Sequence, residues 1–174
     1  MLRPYRIIAE RLTGLSRPAL CVLRVVAGWL FILHALFKFQ NGLASFETYM
    51  LKPAHLPLTS QLSWAIPTLE LVAGVLLVVG LLTRVAATLL ALEMVGTGFL
   101  VKLSVFHSGV LGPKGSGGAE LDFLYLAVFL LIIISGPGWA ALDGLLGLEP
   151  QPRTAGTEAN PTTAVPAAAD GTSS

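Results

Sequence analysis

The feature that most limits what this chain can become is a set of four apolar stretches, at about 19–39, 62–82, 85–101 and 121–135. The hydrocarbon core of a bilayer is ~30 Å thick and needs about 20 mostly apolar residues per helix. The first two stretches meet that length; the last two are short and must borrow flanking residues. Lipid offers backbone groups no water, so such stretches span as helices. Of the 174 residues 54% are hydrophobic and 12% charged, with a mean hydropathy of +0.75. A soluble globular domain, about a quarter charged, is excluded. Disorder over most of the length is excluded too, because disordered chains are poor in aliphatic residues. The expected fold class is all-α: a four-helix transmembrane bundle.

The flanks add detail. Residues 1–18 read as an N-terminal interfacial helix, with Ile7, Ile8, Leu12 and Leu15 on an apolar side and Arg3, Arg6, Arg11 and Arg17 facing headgroups. Pro18 precedes a full-length span that carries Arg24, His34 and Lys38, which argues against a cleavable signal peptide. The arginines, with Arg84 in the second loop, favour cytoplasmic N- and C-termini, with Lys38, Lys52, Lys102 and Lys114 at or beyond the other surface. Residues 42–61 hold Leu43, Phe46, Tyr49 and Met50 at helical spacing, a short outer-surface helix ended by Pro53 and Pro57. The membrane domain covers 19–148. From 149 to 174 there is no Leu, Ile, Phe, Met, Trp or Tyr, so that part reads as a disordered cytoplasmic tail.

A faint internal repeat accompanies this order. Arg24-Val25-Val26-Ala27 opens span one and Arg84-Val85-Ala86-Ala87 opens span three, each ending near a lysine, Lys38 or Lys102. Glu70-Leu71 and Glu120-Leu121 hold matching places in spans two and four, as in a parallel repeat about the membrane normal. Hydrophobic helices also resemble one another for no such reason.

Ionisable side chains in a span are costly and usually face a bundle interior or a cavity. At 100° per residue, Arg24, His34 and Lys38 fall within about 80° of one another, on one stripe with Ala27, Gly28, Phe31 and Ala35. Glu70 shares its face with Ala73, Gly74, Leu77 and Leu81, and small residues beside a polar one suit a close helix contact. At 1.5 Å per residue, His34 and Glu70 both lie roughly 8 Å below the outer boundary. His34, Lys38 and Lys102 thus gather against Glu70, Glu120 and Asp122. The functional reading is a polar pocket in which Arg24, His34, Lys38, Glu70 and Glu120 bind a ligand, with His34 and Glu70 the candidate catalytic, proton-handling groups. An ion-pair network that fixes helix register explains the same cluster equally well. Taken singly, Lys102 and Asp122 are expected to snorkel to the interface. Glu93, near mid-span beside Gly96 and Thr97, has no basic residue at its depth unless Arg24 reaches outward; Arg24 itself can snorkel to a lipid phosphate.

Other chemistries fail on residue count. Near-balanced charge gives no sign of nucleic acid, and the single Cys21 cannot form an internal disulfide or dithiol pair. A haem between spans needs two facing histidines, and only His34 lies inside one; no metal site is expected. The Gly112–Gly118 run lacks the phosphate-loop spacing and reads as a flexible hairpin. Gly136, Pro137 and Gly138 stop span four, Trp139 follows as an interfacial anchor, and Asp143 caps the reversal or pairs with Arg84.

The sequence resembles the DoxX family of small bacterial membrane proteins over about residues 19–146. The matching features are Leu23-Arg24-Val25 with Gly28, Phe31, His34, Phe37 and Lys38; Phe46 with Tyr49; and Pro67 with Glu70 and Gly74. They continue with Gly80-Leu81-Leu82-Thr83-Arg84, Gly118-Ala119-Glu120, Gly136-Pro137-Gly138 and Leu142-Asp143. The resemblance implies a four-helix membrane bundle and an association with redox work, since relatives include the membrane subunit of a thiosulfate:quinone oxidoreductase and proteins of oxidative-stress complexes. It implies at most a membrane subunit of an oxidoreductase, with no built-in cofactor, a quinone as ligand, and a soluble or membrane oxidoreductase or a second copy as partner. The alternatives are a non-enzymatic membrane anchor or assembly factor and a small transporter.

Overall fold

A computed structural model describes residues 15–112 and 118–148. The expected interfacial helix over 1–18, but for its last residues, the centre of the glycine-rich hairpin and the tail beyond 148 lie outside the described residues. Those described are helical, without a strand. Helix α1 (Ser16–Asn41) leads into the short α2 (Leu43–Phe46) and a π-helical turn, Glu47–Leu51. Helix α3 (Thr59–Val79) follows, then α4 (Thr83–Val95), which continues as a π-helical segment, Gly96–Val105. Helix α5 (Glu120–Ser135) and the short α6 (Leu142–Leu145) complete the order.

Among the described residues, three helices are long and apolar enough to cross a membrane: Ser16–Asn41, Thr59–Val79 and Thr83–Val105. Helix α5, at 16 residues, covers about 24 Å at 1.5 Å per residue and packs beside them. The outward faces are apolar, with Ile134 77% and Phe37 65% exposed, as lipid-facing helices require. The inward faces meet in a core of Phe31, Leu77, Leu90, Phe129 and Ile132, each at most 1% exposed, among small alanines.

Close approach of α1 and α3 depends on glycine. A Cβ on Gly28 would lie 2.7 Å from the Gly74 carbonyl oxygen, and one on Gly74 would lie 2.8 Å from the Gly28 carbonyl oxygen. Without interhelical hydrophobic drive in lipid, such backbone contact supplies the packing that joins two spans. The core divides the molecule into two polar ends. One carries Pro137 and Asp143, the other Lys38 and the segments at 42–58 and 106–112.

Candidate functional site

At the Pro137 end a charge is buried and answered by backbone. Arg24 is 1% exposed, and its guanidinium donates from Nη1 to the Pro137 carbonyl at 2.8 Å and from Nη2 to the Ala140 carbonyl at 3.1 Å. The span-four stop therefore folds back over α1, and Arg24 neither snorkels nor joins the polar cluster at the far end. Its guanidinium is buried and its acceptors are backbone carbonyls of the protein itself. Gly80 ends α3 with φ +76, and a Cβ there would lie 2.5 Å from Arg24 Nη1. Both the left-handed backbone and the space exclude a side chain.

Asp143 completes this end. Its carboxylate accepts from the backbone N–H groups of Leu82 (2.6 Å) and Thr83 (2.9 Å), and its own N–H donates to the Gly80 carbonyl at 2.9 Å. The first N–H groups of a helix lack intrahelical partners, and α4 is capped by a carboxylate some sixty residues away in sequence. Arg84 donates to the Ile133 carbonyl at 2.6 Å. Two further buried polar atoms at this end, Arg24 Nε and the Thr83 hydroxyl, have no hydrogen-bond partner.

At the Lys38 end side chains answer one another. Lys38 Nζ bonds Glu70 Oε1 at 2.6 Å, lies 3.9 Å from Glu93 Oε1 and sits 4.8 Å over the Phe46 ring. Glu70 and Glu93, their side chains 3% and 9% exposed, are in mutual contact. Glu70 Oε2 and both Glu93 oxygens receive no hydrogen bond from a donor. One ammonium thus serves two buried carboxyls, so the trio carries either a net negative charge or a proton held between acids. Glu93 belongs to the site through Lys38, whose four-carbon stem carries its ammonium below the level of its own backbone.

A second pair stands beside it. Lys102 Nζ bonds Asp122 Oδ2 at 2.5 Å and the Gly118 carbonyl at 3.2 Å, while Thr97 donates to Asp122 Oδ1 at 2.9 Å. Lys102 and Asp122 therefore do not merely snorkel. A Cβ on Gly98 would come within 3.2 Å of Asp122 Cβ, so the π-helical segment lets α5 approach closely enough for the pair to form. The Lys38–Glu70 bridge across α1 and α3 and the Lys102–Asp122 bridge across the α4 extension and α5 echo the repeat seen in the sequence, with Asp122 in the place Glu120 was expected to fill.

The structure separates other candidates. His34 is exposed, makes edge-on ring contacts with Phe31 (5.7 Å) and Tyr125 (6.2 Å), and has no hydrogen bond or ion pair with Glu70. Its ring turns toward α5, whereas Lys38, one turn later, leans toward α3. Glu120 opens α5 with Oε2 buried and unbonded, joined to neither Lys38 nor Glu70. Among the described residues no group of three His, Cys, Asp or Glu is placed to hold a metal.

Beside the trio lies a cavity of about 420 Å³ between α3, α4 and the short outer helix. Its wall is apolar, including Phe46, Met50, Leu69, Leu89 and Leu92, apart from Glu93 and Thr97. Its volume falls in the ~300–1,000 Å³ range of small-molecule sites. A larger cleft of about 790 Å³ opens at the Pro137 end beside Arg17, Arg84 and Trp139. The smaller cavity is the candidate site, because it alone of the two has a buried, unbonded acid on its wall.

The DoxX profile matches residues 19–103, which contain α1 to α4 and both members of each carboxyl–lysine contact except Asp122. A Bacillus subtilis (strain 168) protein named "Putative oxidoreductase CatD" is 32% identical over 122 residues, covering 70% of this chain and 82% of the relative. The chain belongs to the DoxX family. Two other DoxX-like relatives are an uncharacterized protein of Haemophilus influenzae and an uncharacterized membrane protein of Mycobacterium tuberculosis. The first is 34% identical over 71% of this chain and 87% of its own length, the second 33% over 72% and 80%. No solved structure matches this DoxX protein at a significant level.

Proposed function

We propose that this DoxX protein is a membrane subunit of a redox system in the bacterial plasma membrane, and that it holds a quinone in the cavity beside Glu93. The observation that carries the reading is the Glu70–Lys38–Glu93 trio, two buried carboxyls on one ammonium, with Glu93 on the wall of an apolar cavity. Buried, incompletely satisfied acids are poor stabilisers and are found where protons or ligands are handled. The cavity's wall and volume fit a lipophilic ring, and a relative is named as an oxidoreductase.

A bound quinone would supply the two-electron chemistry that the side chains lack. The protein's own residues would do the rest. Glu93 takes a proton from the ligand at one of its carboxyl oxygens, and Lys38 offsets the charge on the acids. Glu70 holds Lys38 in place. Thr97 ties the Glu93 turn to Asp122, and the aliphatic wall keeps water out. Because the chain has one cysteine, electrons would come from a partner protein rather than an internal dithiol.

The test is to extract the protein from a quinone-containing bacterial membrane in polymer-bounded lipid discs and quantify isoprenoid quinone against phospholipid. Enrichment near one quinone per chain, lost in Glu93→Met, is expected. A ratio equal to that of bulk membrane would contradict the reading.

A further inference from the structure

We infer that the cavity selects a lipophilic phenol, a ligand whose head group donates a hydrogen bond, and that Glu93 is the acceptor that anchors it. The redox-active member of that class is the reduced, dihydroxy form of a quinone. The inference rests on the redox reading above and adds which form of the ligand is held.

The polar side chains on the wall decide this. Only Glu93 and Thr97 among the lining residues carry polar side-chain atoms. The Thr97 hydroxyl has three acceptors within the protein, Asp122 Oδ1 at 2.9 Å and the Glu93 and Met94 carbonyls at 3.1 and 3.4 Å, so its one hydrogen is taken. Both Glu93 oxygens are buried without a donor. The nearest ammonium, Lys38, is committed to Glu70 at 2.6 Å and does not line the cavity. The charged and titratable groups facing Glu93 are thus Glu70, Lys38 and Asp122. A proton shared between Glu70 and Glu93 still leaves one Glu93 oxygen as an acceptor.

The wall therefore offers acceptors to a ligand and keeps its donors for itself. A buried acceptor with no partner costs free energy that a ligand hydroxyl removes, and a hydrogen bond to a carboxylate is among the stronger ones. A ligand presenting only carbonyl or ether oxygens, the oxidised quinone included, places acceptor against acceptor and is held more weakly than the reduced form. Sites that bond a ligand hydroxyl reject the analogue lacking it far more strongly than apolar pockets reject a changed methylene. The aromatic and aliphatic roof, Phe46, Met50 and Leu56, suits the ring that carries the hydroxyl.

The experiment measures anaerobic binding of three probes to the full chain in phosphatidylcholine nanodiscs: trimethylhydroquinone, trimethylbenzoquinone and the dimethyl ether of trimethylhydroquinone. The ether keeps the ring but has no donor. The hydroquinone is expected to bind at least about tenfold tighter than either analogue. Glu93→Met should remove that preference, and Glu93→Gln, which replaces one acceptor with a donor, should narrow it. Equal or tighter binding of the ether or the quinone overturns the inference, as does no binding of any probe or a preference unchanged in Glu93→Met. Quinone enrichment in membranes without a donor preference would sink this inference and leave the redox reading standing. A donor preference without enrichment would do the reverse.

Discussion

The two polar ends of this bundle bury charge in opposite ways. At the Pro137 end a single arginine and a single aspartate are answered by backbone: Arg24 by the carbonyls of Pro137 and Ala140, Asp143 by the N–H groups of Leu82 and Thr83. At the Lys38 end, acids and ammonium groups answer each other and three carboxyl oxygens of Glu70 and Glu93 are left over. Each end keeps buried atoms without a hydrogen-bond partner, Arg24 Nε and the Thr83 hydroxyl at one and oxygens of Glu70, Glu93 and Glu120 at the other, but only at the Lys38 end is such an atom an acid on the wall of an apolar cavity. The contrast separates an end that closes the chain on itself from an end where buried acids border an apolar cavity.

The largest effect should come from Arg24→Met, which strands the buried Pro137 carbonyl and removes the part-buried bond to the Ala140 carbonyl. At about 1.5–3 kcal/mol for each hydrogen bond to a charged group, the loss is about 3–6 kcal/mol, a large share of the ~5–15 kcal/mol that holds an ordinary domain together. Little folded protein should survive size-exclusion chromatography in mild detergent. A monodisperse Arg24→Met variant with an unchanged unfolding midpoint would erase the distinction between the ends. Lys38→Met comes next, at about 2 kcal/mol, since a half-buried ammonium leaves two acids behind. The double change Lys38→Met with Glu70→Leu should recover most of that midpoint while ligand binding stays lost, which sharpens the contrast.

Asp143→Ala should cost about 1–2 kcal/mol, the worth of a helix cap, read as faster amide exchange at Leu82 and Thr83. Protection that stays unchanged at these two positions would show that the carboxylate is not what holds the start of α4.

The apolar stretches alone dictate helices, and small residues beside Glu70 foretell the Gly28–Gly74 crossing. The stop at Gly136–Gly138 and the two alternatives for Asp143 are also readable, because helix ends need partners and Pro and Gly end helices. Side-chain reach is not readable. Lys38 reaches Glu93 only because its stem bends inward, so depth counted from Cα positions sets them apart. His34 shares a stripe with Lys38 yet turns to the rings of Phe31 and Tyr125, a choice made by a neighbouring helix. Arg24's carbonyl partners lie in a loop more than a hundred residues away, and no helical spacing points to them. The π-helical segment that brings Thr97 and Lys102 to Asp122 has no periodic signature, although Gly96 and Gly98 mark where it departs from α geometry.

The most direct measurement is the thermal unfolding midpoint of Glu93→Met against wild type in the same nanodiscs. Replacing a buried, unbonded acid by an apolar side chain of similar length should leave the midpoint unchanged or raise it, as at sites that trade stability for function. A fall as large as that of Asp143→Ala would mean that Glu93 holds the bundle together, and that both ends of the molecule serve the fold alone.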